Sequence, residues 1–379
     1  MTIYLTGRID SSNAAETEQK INAQISADTG ELTLDASGLE YISSAGLRVI
    51  LRLKKANNTT KVVNCNSEVY EIFDMTGFTE MMEVSKAYRK LSVDGCEVIG
   101  EGANGIVYRT DPDTIVKVYK NPDSLDEIHN ERELARKAFV MGIPTAIPYD
   151  VVQVGDLYGS VFELLNAKSF AKLINEGAPV EELAKQSVDI LKTIHSTMLK
   201  PGELPDKKQE ALKWANYTAK QVPAEIGEKI LKLFNDIPDT NNMLHGDFHI
   251  KNIMQQNGEN LLIDMDTLSM GHPIFELAAI YAAYVGFSCI DKLNAQEFLG
   301  IKQEYCTQFW KDTLRFYFSD RDEEYLRQVE KMAEVICYTR LLRWFMTKKD
   351  VTDSYVKSVI DFCRDYLVKN VPETEKIYF

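Results

Sequence analysis

The chain has no C-x-x-C pair, no apolar run that approaches the length of a membrane span, and no excess of basic residues. Each absence removes a class of protein. The six cysteines (Cys65, Cys96, Cys289, Cys306, Cys337 and Cys363) are scattered, so they read as free thiols in a reducing compartment rather than a disulfide framework or zinc site. Met1 leads straight into a strand-like segment without a signal peptide, and a cytoplasmic location is expected. Lysine and arginine number 43 against 57 aspartates and glutamates, a net charge of −14. Such an acidic balance argues against nucleic acid or an anionic membrane as a partner. At 379 residues the chain is too long for one ordinary domain, and two or three are expected.

What is present centres on His245-Gly-Asp-Phe-His-Ile-Lys-Asn252, followed by Leu261-Leu-Ile-Asp-Met-Asp266. Asp247, Asn252 and Asp264 place two carboxylates and a carboxamide on a loop and the strand after it. Phosphoryl transfer needs one group to orient an attacking hydroxyl and hard oxygen ligands to hold magnesium against ATP. The alternative is a polar turn between a helix and a buried strand. His-Gly-Asp-x-His-x-x-Asn resembles the catalytic loop of aminoglycoside phosphotransferases and choline-kinase-like enzymes, relatives of protein kinases.

In the first ninety residues, Ile3–Leu5, Leu32–Leu34 and Lys61–Cys65 alternate like strands, with helical spacing between them. Ser43 and Ser44 precede an amphipathic run containing Leu47, Ile50 and Leu51, and Gly77 suits the end of a third helix. This order indicates a small α/β domain. Leu5-Thr-Gly-Arg-Ile-Asp10, the stretch from Asp35 to Arg48 and Ile72-Phe-Asp-Met-Thr-Gly77 look like a STAS domain, the fold of anti-sigma-factor antagonists. The resemblance implies a protein partner for this domain and a phosphoacceptor serine, matched by Ser44. Ser43 stands where the family often has Asp, and the other reading is that both serines cap the helix.

Gly100-Glu-Gly-Ala-Asn-Gly105 follows a strand-like Cys96–Ile99. A dinucleotide loop would open a helix, but Ile106-Val-Tyr108 continues as a strand, as in a kinase hairpin over phosphates. Lys117 lies within the alternating strand Thr114–Tyr119, where its charge is costly unless it meets anions. A helix over Asp126–Met141 offers Glu131 and Glu133 as partners, and counting back from Gly142-Ile-Pro144 favours Glu131. Gly159–Leu165 reads as a buried strand leading to a hinge. The resemblance implies Gly100, Gly102, Gly105, Val107, Lys117, Glu131, Glu163 and Leu165 as nucleotide-binding residues. It implies Asp247 as the catalytic carboxylate and Asn252 and Asp264 as magnesium ligands. Asp266 has two readings, a further metal ligand or a group near the acceptor.

Beyond Ser169 the pattern is mostly helical, with long runs at Val180–Leu199, Glu323–Lys348 and Val351–Val368. His195 reads as a packed histidine, and Trp214 equally as core or as substrate platform. Arg340 and Arg343 share a helix face, where they could meet an anionic substrate group or surface acids. Gly271-His-Pro-Ile-Phe-Glu276-Leu-Ala278 departs from the family's G-D-P-x-x-D-L-A, so the contacts that anchor the catalytic loop are expected to differ.

The expected architecture is therefore an α/β STAS-like domain (residues 1–88) before an α+β bilobal protein-kinase-like domain. The latter divides into a nucleotide-binding lobe (89–166) and a helical lobe with the catalytic loop and acceptor site (167–379). The expected activity is ATP- and magnesium-dependent phosphorylation of a hydroxyl on a small molecule. The alternatives are a protein serine kinase acting on Ser44 or a partner's equivalent, and a nucleotide-sensing module with little turnover.

Overall fold

The structure, a computed structural model, describes residues 1–26, 30–102, 104–291, 294–376 and 379. Two compact units divide the chain: Met1–Gly95 with Val151–Gly159, and Cys96–Asp150 with Ser160–Phe379.

In the first unit, strands Thr2–Ile9, Thr33–Ile42, Lys61–Cys65 and Val84–Lys86 form a parallel sheet in sequence order. Strand Thr2–Ile9 alternates: Ile3, Leu5 and Ile9 are buried while Tyr4 stands in solvent. The register pairs Ile3 with Leu34 and Leu34 with Val62, so successive apolar positions meet across the sheet. Parallel strands need crossovers, supplied by helices Ala14–Asn22, Ser44–Ala56 and Ser67–Met75. Helix Ser44–Ala56 presses close to the sheet at Gly46, where a Cβ would lie 2.7 Å from Ile42 and 2.8 Å from Ile9. Only glycine fits there.

The second unit begins with antiparallel strands Glu97–Glu101, Gly105–Asp111 and Thr114–Tyr119, then helix Leu125–Val140. That helix stops at Gly142, whose φ of +87° lets its N–H reach Phe139 O (2.9 Å) and the Ile143 N–H reach Ala138 O (3.0 Å). The remainder is mostly helical, its largest element being Glu323–Lys348. The last long helix begins at Ser354 rather than Val351. The Asp350 carboxylate accepts the Thr352 N–H in a turn, and Asp353 then caps the helix through the Val356 N–H, both at 2.9 Å. One irregularity has no counterpart in the sequence pattern: Ala282–Gly286 is a π-helical turn between helices Ile274–Tyr281 and Phe287–Ile290. Among the described residues, no helix is long and apolar enough to cross a membrane.

Candidate active site

Strand Thr114–Tyr119 turns Lys117 toward helix Leu125–Val140. Its ammonium donates to both Glu131 oxygens, at 3.0 and 3.2 Å, and to Asp264 Oδ1 at 3.2 Å. Glu131 is buried, whereas Glu133 is exposed on the same helix. Burial works against the Lys117 charge, but the Glu131 and Asp264 carboxylates outweigh it and hold the ammonium above the usual lysine pKa. Tyr119, two residues on and on the same face, donates its hydroxyl to Glu131 Oε2. Burial, then the Glu131 charge, keeps this phenol protonated. Tyr119 is not among the residues expected from the motifs, although the two-residue alternation from Lys117 carries the signal.

Asn252 and Asp264 are brought together by a hairpin. Strands Ile253–Gln256 and Glu259–Leu262 pair Ile253 with Leu262, and the Ile263 N–H bonds Asn252 O at 3.0 Å. The turn residues Asn257 and Gly258 have φ of 53° and 84°, as a tight two-residue hairpin requires. Register thus fixes the pair. The Asn252 amide nitrogen donates to Asp247 O (3.0 Å) and Asp247 Oδ2 (3.2 Å), which leaves the lone pairs of Asn252 Oδ1 as the part of the side chain that could ligate a metal. Asp264 is held at φ 66°, in the left-handed region. Among the described residues no cluster of three or more His, Cys, Asp or Glu could hold a metal. A carboxylate and a carboxamide oxygen nonetheless suit magnesium, which takes few protein ligands when phosphates and water complete its shell.

Asp247 sits on a loop whose backbone is tied down at several points. Glu276 accepts the N–H groups of His245 and Gly246, the latter at 2.9 Å. Thr267 Oγ1 donates to His245 O at 2.8 Å, and the Tyr284 hydroxyl accepts the Ile250 N–H at 3.0 Å. Glu276, which replaces the family's Asp, therefore anchors the loop directly. Burial opposes its ionisation, but the His195 and His245 rings and the Gly246 N–H hold its carboxyl below the usual range. Burial likewise opposes the charge on Asp247, while His249, His245 and the Asn252 amide lower its pKa. His249 Nε2 lies 3.4 Å from Asp247 Oδ2, and His245 Nδ1 accepts the Asp247 N–H at 3.3 Å.

The remaining predicted residues are placed as follows. Gly100 and Gly105 lie on adjacent strands, Val107 pairs with both Gly100 and Lys117, and the Gly102 N–H bonds Gly105 O at 2.9 Å. A Cβ on Gly105 would meet Val118 O at 2.6 Å, whereas Gly102 faces open space. Strand Leu157–Glu163 ends at the expected hinge, and the Leu164 N–H, between Glu163 and Leu165, is taken by Asp113 O at 2.8 Å. Burial, then Asp264 and Glu131, raise Asp266 to about 6. His195 Nδ1 is 2.7 Å from the Tyr317 hydroxyl, a packed histidine. Trp214 lines a cavity that also reaches Asp247. In the first unit Ser43 is the cap, accepting the Ala45 N–H at 3.2 Å, and Ser44 is an exposed first helical residue.

The two-lobed arrangement of a lysine strand, a glutamate helix and a carboxylate-bearing loop defines a protein-kinase-like phosphotransferase fold. The profile of the phosphotransferase enzyme family matches residues 95–306, and that of the STAS domain matches residues 1–91. The chain belongs to the phosphotransferase enzyme family and carries an N-terminal STAS domain. A Bordetella bronchiseptica protein named as an anti-sigma factor antagonist, BtrV, is 32% identical over 87 residues, covering 22% of this chain and 75% of that protein. Among solved structures, APH(2″)-IIia with GDP and kanamycin aligns at 12% identity and a TM-score of 0.50, over 81% of this chain and 99% of that one. Aminoglycoside phosphotransferase APH(4)-Ia with AMP-PNP and hygromycin B aligns at 14% identity and 0.50, over 73% and 93%. At such identities the likeness is one of fold.

Proposed function

We propose that this chain transfers the γ-phosphoryl group of ATP to a hydroxyl of a small molecule, with magnesium, under the influence of its STAS domain. The observation that carries this reading is the convergence of Lys117, Glu131, Asn252 and Asp264, since a lysine so placed suits the α- and β-phosphates. Asn252 and Asp264 would hold magnesium, which neutralises phosphate charge when bound. Gly100, Gly102, Gly105 and Val107 would cover the phosphates, and the backbone at Glu163 and Leu165 would meet adenine.

Asp247 would orient the acceptor hydroxyl. The hydroxyl oxygen bonds to the γ-phosphorus as the bond to the β-bridging oxygen breaks, ADP leaves, and the hydroxyl proton passes to Asp247. Its lowered pKa suits a late proton transfer in a loose transition state. The short segment between Asp264 and Pro273 offers no peptide-docking platform, which favours a small acceptor over a protein.

The test is ATP consumption across hydroxylated metabolites and aminoglycosides. Magnesium-dependent turnover that falls by orders of magnitude in Asp264→Ala supports the reading. Turnover that survives Asp247→Ala, or none with any acceptor, sinks it.

A second reading, a serine kinase acting on STAS domains, is favoured by the exposed Ser44 hydroxyl at a helix start, where backbone N–H groups suit added phosphate. Labelled ATP offered to wild type and Ser44→Ala decides it. Absence of label on any STAS domain removes it.

A further inference from the structure

Beside Asp247 the second unit holds a cavity of about 630 Å³, within the size range of small-molecule sites. Ala278, Ala279, Ala282 and Ala283 line it with minimal bulk, and Trp214, Phe275, Phe287 and Trp344 give it aromatic walls. Its charges set what it can hold. Two carboxylates line it, and neither is free for a ligand's ammonium group. Glu276 uses both oxygens on the His245 and Gly246 N–H groups, and Asp247 is the carboxylate assigned to the reacting hydroxyl.

Three cations also line the cavity: Lys207, Arg340 and Lys349. The Arg340 guanidinium lies 5.4 Å from the Trp214 ring centroid and the Lys207 ammonium 5.9 Å from the same ring. Lys349 lies 4.8 Å from the Trp344 ring. A cationic ligand would seek those ring faces, and the protein's own cations occupy them. Lys207 is paired with Glu210 at 2.8 Å. Arg340, exposed on its helix, has no ion-pair partner among the described residues. A free guanidinium beside an apolar cavity presents forked donors matched to a carboxylate or phosphate. A neighbouring cavity of about 510 Å³ contains Asp206, Glu210 and Asp266 together with Lys207 and Lys213, and Asp247 does not line it.

We infer that the acceptor is a hydroxylated molecule with an apolar or aromatic body and one oxyanionic group, which is held by Arg340, with its hydroxyl toward Asp247. Polycationic aminoglycosides and quaternary ammonium alcohols are then poor acceptors. The inference rests on the phosphotransferase reading for the position of the hydroxyl, but its charge preference is measurable without ATP.

The test titrates the full chain, without nucleotide, with hydroxyalkyl and hydroxyaryl carboxylates and phosphate monoesters. Each is paired with the neutral amide and the amine of the same skeleton, and binding is read by tryptophan fluorescence and calorimetry. At least one acid is expected to bind at least tenfold tighter than its amide and amine. Arg340→Gln and Arg340→Ala should each remove that preference, while Arg343→Gln retains it. The carboxylate and phosphate arms show which oxyanion fits. Amines that bind as well as acids, a preference that survives both Arg340 variants, or no acid bound at millimolar concentration overturns the inference. Acid binding without ATP consumption would instead fault only the phosphotransferase reading.

Discussion

The Glu276 carboxylate receives the Gly246 N–H at 2.9 Å across a gap of thirty residues in the chain, and so holds the loop that carries Asp247. Gly246 itself sits at φ +88°, with Thr267 O only 2.4 Å from where a Cβ would be, so the loop has no slack. Glu276→Gln turns one accepting oxygen into a donor facing an N–H. A loss of about 1–3 kcal/mol is expected, the cost of a buried unsatisfied donor. Urea unfolding checks stability, and kcat is expected to fall more than KM rises.

Lys117 balances Glu131, which is buried, and Asp264, which is partly solvated, so its removal leaves the Glu131 charge buried with only the Tyr119 hydroxyl to offset it. Lys117→Met is expected to cost about 3–5 kcal/mol in stability, as for a broken buried ion pair. Adding Glu131→Gln should recover part of that stability and none of the activity. A double-mutant cycle of unfolding and ATP turnover separates the two effects. Full additivity would show that the residues do not act as a pair.

Two glycines of the Gly100–Gly105 segment should respond differently to alanine. Gly105→Ala must displace the Val118 carbonyl, 2.6 Å from the new Cβ, and a penalty of about 1–3 kcal/mol is expected. Gly102→Ala meets nothing within 4 Å and should leave stability near wild type. Thermal unfolding distinguishes them, and nucleotide titration shows whether Gly102→Ala alters binding.

His272 Nδ1 accepts the Ile274 N–H at 3.2 Å, so Nε2 donates to Phe379 O at 3.0 Å. Burial lowers this imidazole to about 4 from the ordinary 6.5. The unfolded chain therefore takes up the proton first as pH falls. The associated stability is complete above pH 6.5 and is lost progressively down to pH 4, by about 3 kcal/mol in all. Urea unfolding between those values should show a slope that His272→Gln reduces.

The sequence carried much of this arrangement because the chemistry sits in short local motifs. The glycine segment reads as a hairpin rather than the opening of a helix, since Ile106-Val-Tyr108 continues the β pattern past the glycines, and strand Gly105–Asp111 is what the structure has there. Counting from Gly142 favours Glu131 over Glu133, and Glu131 is the residue that lies beside Lys117. What escaped depends on contacts far apart in the chain. Glu276 reaches the loop only through tertiary packing, and no periodicity announces that its oxygens end on backbone N–H groups. Arg340 could be placed on a helix face, but its proximity to Trp214 needs two helices brought together. Asn257-Gly258 is a local hairpin signal, and it sets the register on which Asn252 and Asp264 meet.

The π-helical turn at Ala282–Gly286 has two neighbours of different kinds. The Tyr284 hydroxyl accepts the Ile250 N–H of the loop that carries Asp247, and Ala282 and Ala283 face the cavity where the acceptor is inferred to lie. Enlarging either alanine to reshape selectivity would also strain the turn that steadies the loop. Changes of substrate preference in this chain should therefore come with changes of rate, and a purely tolerant redesign should begin at walls other than this one.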